Sequence, residues 1–207
     1  KPQEQLDFTY FGGIYRDAWL ITHNHTYVTH STAAEKVAGG GVFVHYENLS
    51  EKSVDVFVDV DVKNEGKKKI VFVQLDILDS DGNVVASSVN AYQLPKNNAV
   101  QTHAQFTVPN PKLWRPDNPQ LHDLRVSLKN KRGDVLDTFI KRIGIRSVEM
   151  RGQDGFYLNG KPYPQLLIGA NRHQDFAHIG HALPNNLQYR DARRLRQKGL
   201  RVMRAQH

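Results

Sequence analysis

The chain has 207 residues, of which 39% are hydrophobic and 24% are charged, and it carries a formal net charge of +7 without any cysteine. These proportions exclude a disordered or collagen-like chain, and the lack of cysteine excludes disulfides, thiolate catalysis and cysteine-based zinc sites. No apolar run approaches the ~18 residues of a membrane span, and the basic residues are scattered without interleaved aromatic residues, so neither a membrane nor a nucleic acid is expected as a partner.

The first predicted strand shows a two-residue period. Residues 54–62, VDVFVDVDV, place a valine at every even position, which is the pattern of a strand with one buried face. Glycine-containing turns at 64–66, 79–83 and 131–134 favour antiparallel hairpins between neighbouring strands. Strands at this spacing predict a mainly β fold, an immunoglobulin-like β-sandwich. Five further strand-like segments begin at Ile70, Val84, Ala99, Leu121 and Val135.

A proline-rich segment interrupts the series of strands. Four prolines occur in VPNPKLWRPDNPQL at 108–121, and proline donates no hydrogen bond to a sheet, so this segment cannot be a central strand. We expect Trp114, in its middle, to cover one end of the sandwich rather than to bind a ligand.

The pattern changes after Met150. The segment DGFYLNGKPY at 154–163 predicts a hairpin around Asn159 and Gly160, and the short apolar run LLIGA at 166–170 predicts a strand that is covered on both faces. Polar and titratable side chains follow that run directly in NRHQD at 171–175.

A helix and a second strand complete this part of the chain. Residues 184–200 contain an apolar stripe, with Asn185 or Asn186 as N-cap and Gly199 as C-terminal stop, and they predict a helix. The strand-like LRVM that follows gives the strand, helix, strand unit of a parallel sheet. Because two such strands cannot cover their own apolar faces, we expect the chain to be a fragment with one complete domain and the truncated beginning of another.

Five motifs in a fixed order make the chain similar to a known enzyme family, glycoside hydrolase family 2, and within it to the β-galactosidases. The resemblance implies the tail of a jelly-roll sugar-binding domain at 1–20, an immunoglobulin-like β-sandwich at 21–148 and, at 149–207, the incomplete beginning of a catalytic (β/α)₈ TIM barrel. The motifs are GGIYRDAWL at 12–20, LWRPDNPQL at 113–121, FYLNGKPY at 156–163, GANRHQD at 169–175 and VMRAQH at 202–207.

The resemblance also implies candidate site residues, since active sites of such barrels lie at the carboxyl ends of the strands. From the residues alone, Asp17 is equally well a surface aspartate beside Arg16, and His173 is an ordinary loop histidine. The resemblance makes these two residues sugar contacts. The implied substrate-binding residues are Asp17, His173 and His207, and the implied supports of the active site are Asn171, Arg172 and Arg204.

The activity implied by the resemblance is retaining hydrolysis of terminal β-galactosides, which uses two carboxylates roughly 5 Å apart. In the family both are glutamates on later barrel strands, and the last glutamate of this chain is Glu149. We therefore expect no catalytic residue in this chain, and no activity from the chain alone. The alternatives are β-glucuronidase or β-mannosidase specificity, or a stand-alone β-sandwich module that binds carbohydrate or protein.

Cofactors and location are expected from the resemblance alone. Family members often need Mg²⁺ and sometimes Na⁺, so the longer protein is expected to bind these ions outside this chain and to be a homo-oligomer. His23, His25 and His30 could suggest a metal site, but no carboxylate lies nearby and we interpret them as surface residues, with no metal bound here. The N-terminus lacks the pattern of a signal peptide. The family resemblance favours a bacterial periplasmic enzyme over a cytoplasmic one.

Overall fold

The computed structural model describes residues 12–37 and 39–206. The chain divides into two compact units, Thr22–Tyr163 and the pair of segments Lys1–Ile21 and Pro164–His207. His207, one of the expected sugar contacts, lies outside the described residues. No described helix is long and apolar enough to cross a membrane.

The unit Thr22–Tyr163 is a β-sandwich, as the two-residue periods predict. Its strands are β1 (Thr26–Val28), β2 (Val42–Glu47), β3 (Ser53–Asn64), β4 (Lys69–Leu78), β5 (Val84–Leu94), β6 (Asn98–Pro109), β7 (His122–Lys129) and β8 (Val135–Ile143). One four-stranded sheet has β3 at its centre, with β6 on one side and both β1 and β2 on the other, and the second has the order β5, β4, β7, β8. All pairs within these sheets are antiparallel.

The valine alternation of β3 supplies one half of the core. Val54, Val56, Val58, Val60 and Val62 are each at most 1% exposed, and burial of a valine side chain stabilises a fold by about 1.5–3 kcal/mol. They face the buried aliphatic side chains of the other sheet in one continuous cluster. The sandwich therefore relies on packing, without a disulfide between its sheets.

Two of the three hairpins predicted between strands of the sandwich sheets are confirmed. Gly82 and Gly133 have φ values of 84° and 90° and turn β4 into β5 and β7 into β8. The hairpin predicted at 64–66 is wrong, because β3 and β4 lie in different sheets. The reason is Asn64, which is fully buried and whose Nδ2 donates to the carbonyls of Lys67 at 3.0 Å and Pro95 at 2.6 Å.

Trp114 lies at one end of the sandwich, as expected. A Cβ atom added to Gly144 would lie 3.0 Å from two atoms of the Trp114 ring, so a larger residue at this position would require the ring to shift. The backbone N–H of Trp114 donates to Ile145 O at 2.9 Å, and the Arg146 guanidinium lies 5.0 Å from the ring centroid. The proline-rich segment thus closes this end of the core.

A small three-stranded sheet completes this unit, formed by β9 (Val148–Met150), β10 (Phe156–Leu158) and β11 (Lys161–Pro162). A short 3₁₀ helix, Gly152–Asp154, connects the first two strands. Asn159 and Gly160 have φ values of 53° and 72°, which confirms the predicted hairpin. Asn159 Nδ2 also donates to Trp114 O at 3.1 Å, so this hairpin is held against the proline-rich segment.

The second unit contains β12 (Gly169–His173), α1 (Asn185–Gln197) and β13 (Val202–Gln206). The two strands are parallel, so the predicted strand, helix, strand unit is confirmed, and Gly199 with φ 90° ends the helix. The predicted asparagine N-cap is wrong: the N-cap is Pro184, in extended conformation, with no side-chain cap. The Pro184 carbonyl accepts from the N–H groups of Leu187 at 3.0 Å and Gln188 at 3.3 Å, so the helix begins directly after Pro184 and the asparagines lie in its first turn.

The apolar run before β12 is not covered on both faces, contrary to the prediction. Leu166 and Ile168 are 81% and 57% exposed, and the strand itself begins at Gly169, later than expected. Within the described residues β13 is its sheet neighbour, and one neighbouring strand with one helix cannot cover both faces of such a run.

Candidate functional site

Four of the candidate residues lie on the parallel strands β12 and β13, namely Asn171, Arg172, His173 and Arg204. Asn171 is the register partner of Arg204, and His173 is the register partner of Gln206. Because side chains alternate along a strand, Asn171 and His173 share one face of β12. The two strands end at His173 and Gln206, so His173 lies at the carboxyl end of β12. Asn171 and Arg204, which were expected directly after the strands, lie in the middle of them.

Arg172 points toward the helix. Its guanidinium donates to the Asp191 carboxylate at 2.8 Å and to the carbonyl of His173 at 3.2 Å. The side chains of Arg172 and Asp191 are 15% and 22% exposed, and the hydrogen bond from Arg172 lowers the pKa of the Asp191 carboxyl group. Arg172 thus connects α1 to the end of β12 through one side chain.

The segment that carries Asp17 docks on the loop after β12. Arg16 Nη1 donates to Leu183 O at 3.2 Å, and Nη2 donates to Gln174 Oε1 at 3.3 Å. The Tyr15 ring meets the His181 ring edge-on, with centroids 5.3 Å apart. These contacts bring the exposed Asp17 into the same unit as His173.

The loop after β12 has a compact fold of its own. Phe176 and Gly180 form an isolated β-bridge, with the Gly180 N–H donating to Phe176 O at 2.9 Å. Leu183 anchors the end of the loop, since it is only 1% exposed. A fixed loop of this kind gives Arg16 a preformed carbonyl acceptor.

The contacts of Arg16 and Gln174 were not anticipated from the sequence. Arg16 bonds to Gln174, 158 residues away, and to Leu183, 167 residues away. No local sequence pattern marks any of these residues as partners. Only the motif order in GGIYRDAWL and GANRHQD hinted that these two parts of the chain act together.

The chemistry available in this unit is hydrogen bonding to a ligand. Asp191 is engaged by Arg172 and Arg190, whereas Asp17 and Asp175 are exposed. Mg²⁺ prefers clustered oxygen ligands, and the described residues hold no group of three His, Asp or Glu side chains that could bind a metal. They therefore do not fit a Mg²⁺ or Na⁺ site.

The N-terminal histidines make ordinary surface contacts. His23 stacks on Tyr27 with ring centroids 3.5 Å apart, and its Nδ1 lies 3.0 Å from Asn24 O. His30 Nδ1 lies 3.3 Å from the Thr32 N–H. These contacts agree with their interpretation as surface residues.

The chain is similar to a known protein family and to several of its named members. Residues 40–146 match the family model described as "Glycosyl hydrolases family 2". A β-galactosidase of Thermoanaerobacter pseudethanolicus is 31% identical over 205 residues, which are 98% of this chain and 25% of the relative. A β-glucuronidase of Formosa agariphila is 30% identical over 175 residues, which are 84% of this chain and 18% of the relative.

A solved structure has a similar fold. The crystal structure of a Bacteroides uniformis β-glucuronidase superposes with a TM-score of 0.84 at 29% identity, covering 99% of this chain and 24% of that chain. The chain therefore spans about a quarter of the length of the curated relatives it matches.

Proposed function

Because this chain belongs to glycosyl hydrolase family 2, we propose that it is part of a retaining glycosidase that hydrolyses terminal β-galactosides. In this proposal the described residues bind and position the sugar, and the two catalytic glutamates lie on barrel strands outside the chain. Mg²⁺ or Na⁺, homo-oligomer formation and a periplasmic location belong to the longer protein in the same proposal.

The observation that carries the proposal is the convergence of two distant motifs. Arg16 bonds to Gln174 and Leu183, which holds Asp17 beside the loop that follows His173. Asn171 and Arg204 are register partners on the neighbouring strands β12 and β13. A carboxylate, an imidazole and an amide are the polar groups with which a protein fixes the hydroxyls of a sugar.

The proposed preference for galactose over glucuronate rests on the motifs GANRHQD at 169–175 and GHALPNN at 180–186. Relatives of nearly equal similarity are named β-galactosidase and β-glucuronidase. A glucuronide carries a carboxylate and needs a cation with a free charge. Arg172 is engaged by Asp191, so this arginine is not available to bind the carboxylate of a glucuronide.

The test is hydrolysis of a panel of nitrophenyl glycosides by the longer protein, with the 207-residue chain as control. We expect the β-galactoside to be cleaved with the highest kcat/KM and the chain alone to cleave nothing. Preference for the β-glucuronide or β-mannoside would overturn the galactose assignment and leave the glycosidase assignment standing. Absence of cleavage of every substrate would overturn both.

The stereochemistry of the product tests the mechanism separately. A retaining enzyme passes through a covalent glycosyl-enzyme and releases a product with the starting anomeric configuration. Proton NMR of the first product should therefore show the β-anomer before mutarotation. Initial release of the α-anomer would contradict the retaining mechanism.

A further inference from the structure

Two basic groups that are far apart in sequence lie at the same end of the β-sandwich. Residues 67–69 lie at the start of β4, and residues 129–132 lie at the turn between β7 and β8. Because β4 and β7 pair antiparallel, with Phe72 opposite Lys129, the start of one strand meets the end of the other. The cations that are scattered in the sequence are thus gathered by the fold.

The charges at this end are not neutralised by nearby carboxylates. Lys68, Lys131 and Arg132 are exposed, and the described ion pairs of the sandwich include none of them. Lys69 Nζ donates to the neutral Thr26 Oγ1 at 2.9 Å. Lys129 Nζ donates to the neutral Gln74 Oε1 at 2.6 Å.

Three acidic residues near this end accept hydrogen bonds from neutral donors. Glu65 accepts from the Tyr27 hydroxyl at 3.0 Å, Asp134 from Asn130 Nδ2 at 2.8 Å, and Asp137 from the Val28 N–H at 2.8 Å. None of these three carboxylates makes a described ion pair with a lysine or arginine. The positive potential at this end therefore remains available to a ligand.

The turns that carry these cations are held in place. Asn130 Oδ1 accepts from the N–H groups of Arg132 at 2.8 Å and Asp134 at 3.0 Å. The buried Asn64 binds the carbonyl of Lys67 at 3.0 Å. Fixed turns reduce the ordering cost of binding, because less backbone freedom is lost when a ligand arrives.

The cations line a cavity with the chemistry of a sugar site. Its volume is ≈ 650 Å³, and Lys68, Lys69, Lys131 and Arg132 contribute to its walls; this volume lies within the range of ligand pockets, about 300–1,000 Å³. The remaining lining consists of two amides and two aliphatic side chains, Gln93, Asn130, Ile70 and Leu136. Amides bind hydroxyls, and aliphatic groups pack on the C–H faces of a sugar ring.

We propose that this basic end of the sandwich binds an acidic polysaccharide, a glycan chain that carries carboxylate or sulfate groups. The cations bind the acidic groups, and the amides and aliphatic side chains contact the neutral parts of the sugar rings. The surface holds the glycan chain independently of any cleavage of its terminal sugar. A nucleic acid fits less well, because no described residue that lines the cavity has an aromatic ring on which a base could stack.

The test measures binding of the 207-residue chain to polygalacturonate, with neutral galactan as the matched uncharged polymer. We expect binding to polygalacturonate that weakens steeply as salt rises, and no binding to galactan. The double variant Lys131→Gln, Arg132→Gln should bind about tenfold more weakly and show a smaller salt dependence. Lys68→Gln, on the other turn, should weaken binding in the same direction.

The control is the double variant Lys52→Gln, Lys112→Gln, which removes the same charge from two exposed lysines at the opposite end. We expect its affinity to change less than about twofold, as for charges outside the contact. Equal weakening by both double variants would overturn the proposal, because net charge alone would then explain binding. Absence of binding to polygalacturonate, or tighter binding of a single-stranded oligonucleotide at the same salt, would also overturn it.

Discussion

The guanidinium of Arg172 on β12 lies 2.8 Å from the carboxylate of Asp191 on α1. Both side chains are partly buried, so removing one partner leaves the other without its hydrogen bond, at a cost of about 1–3 kcal/mol. We predict that Asp191→Ala raises amide exchange in β12 and α1. Hydrogen exchange of the chain measures this effect, and the exchange rates in β3 and β4 should stay unchanged. The control is Asp154→Ala, which removes an exposed carboxylate and should leave the exchange rates unchanged in every element.

The proposed sugar contacts Asp17 and His173 can be tested in the longer protein. We predict that Asp17→Asn and His173→Ala each lower kcat/KM for the nitrophenyl β-galactoside by roughly 10–100-fold, which corresponds to the loss of a hydrogen bond of about 1.5–3 kcal/mol to the substrate. Steady-state kinetics measures this effect. Asp154→Asn should retain the parent rate, and unchanged kinetics in Asp17→Asn would remove that residue from the site.

A buried carboxylate on the outer face of the sandwich should make stability depend on acid. Burial opposes ionisation of Asp76, but hydrogen bonds from Gln74, Ser87 and Arg125 outweigh it and lower its pKa. The folded pKa is below the unfolded value near 3.8, so this stabilisation is present above that value and is lost as the pH falls through the folded pKa.

We therefore predict that Asp76→Asn lowers the free energy of unfolding at pH 7 by about 1–3 kcal/mol. The difference from the parent chain should shrink as the pH falls below 3.8. Urea titrations across this range measure both quantities. Asp123→Asn removes a more exposed partner of Arg142 and should cost less than about 1 kcal/mol.

His122 should give a pH dependence in a different window. It is only 4% exposed; burial and the charge of Lys112 lower its pKa, and Asp79 opposes this. The unfolded chain takes up a proton near the ordinary value of 6.5 while the folded chain does not, so stability falls as the pH drops below 6.5. Between pH 7 and 5 the His122→Gln variant should lose less stability than the parent chain, as measured by thermal unfolding. An identical loss in both would contradict the prediction.

The contact between Gly144 and Trp114 permits a paired test of packing. A methyl group at Gly144 would meet three Trp114 atoms at 3.0–3.1 Å, whereas one at Gly66 would meet only atoms at 3.6 Å and beyond. We predict that Gly144→Ala destabilises the chain by about 1–3 kcal/mol, as overpacking does. Gly66→Ala should change stability by less than about 0.5 kcal/mol, and the two variants are compared by urea unfolding.

The parts of the fold that were predictable are those with local causes. The strands β3 to β8 follow from alternation and from glycines at Gly82 and Gly133, which take the left-handed conformation that their turns need. The turn at 64–66 has the same composition, but Gly66 is not among the glycines with positive φ. The buried Asn64 sends the chain into the other sheet, and no local pattern distinguishes it from a surface asparagine.

The candidate site divides in the same way. Asn171 and His173 could be proposed because they follow an apolar run directly, and position after a strand is local information. The docking of Arg16 on Leu183 and the partnership of Arg172 with Asp191 depend on how separate segments meet. The basic end was missed for the same reason, because the antiparallel pairing of β4 with β7 alone brings its two turns together.

The hydrogen bonds of Asn64 also determine where the sandwich accepts new sequence. Its amide binds two turns at once, those of Lys67 and Pro95, so an inserted peptide between β3 and β4 would pull the donor away from its acceptors. The tip at Gly82 makes no comparable long-range bond among the described residues and has open space around it, and exposed tips of this kind tolerate insertion. Gly82 is therefore the position at which an affinity tag or a fluorescent label can be inserted without disturbing the sandwich.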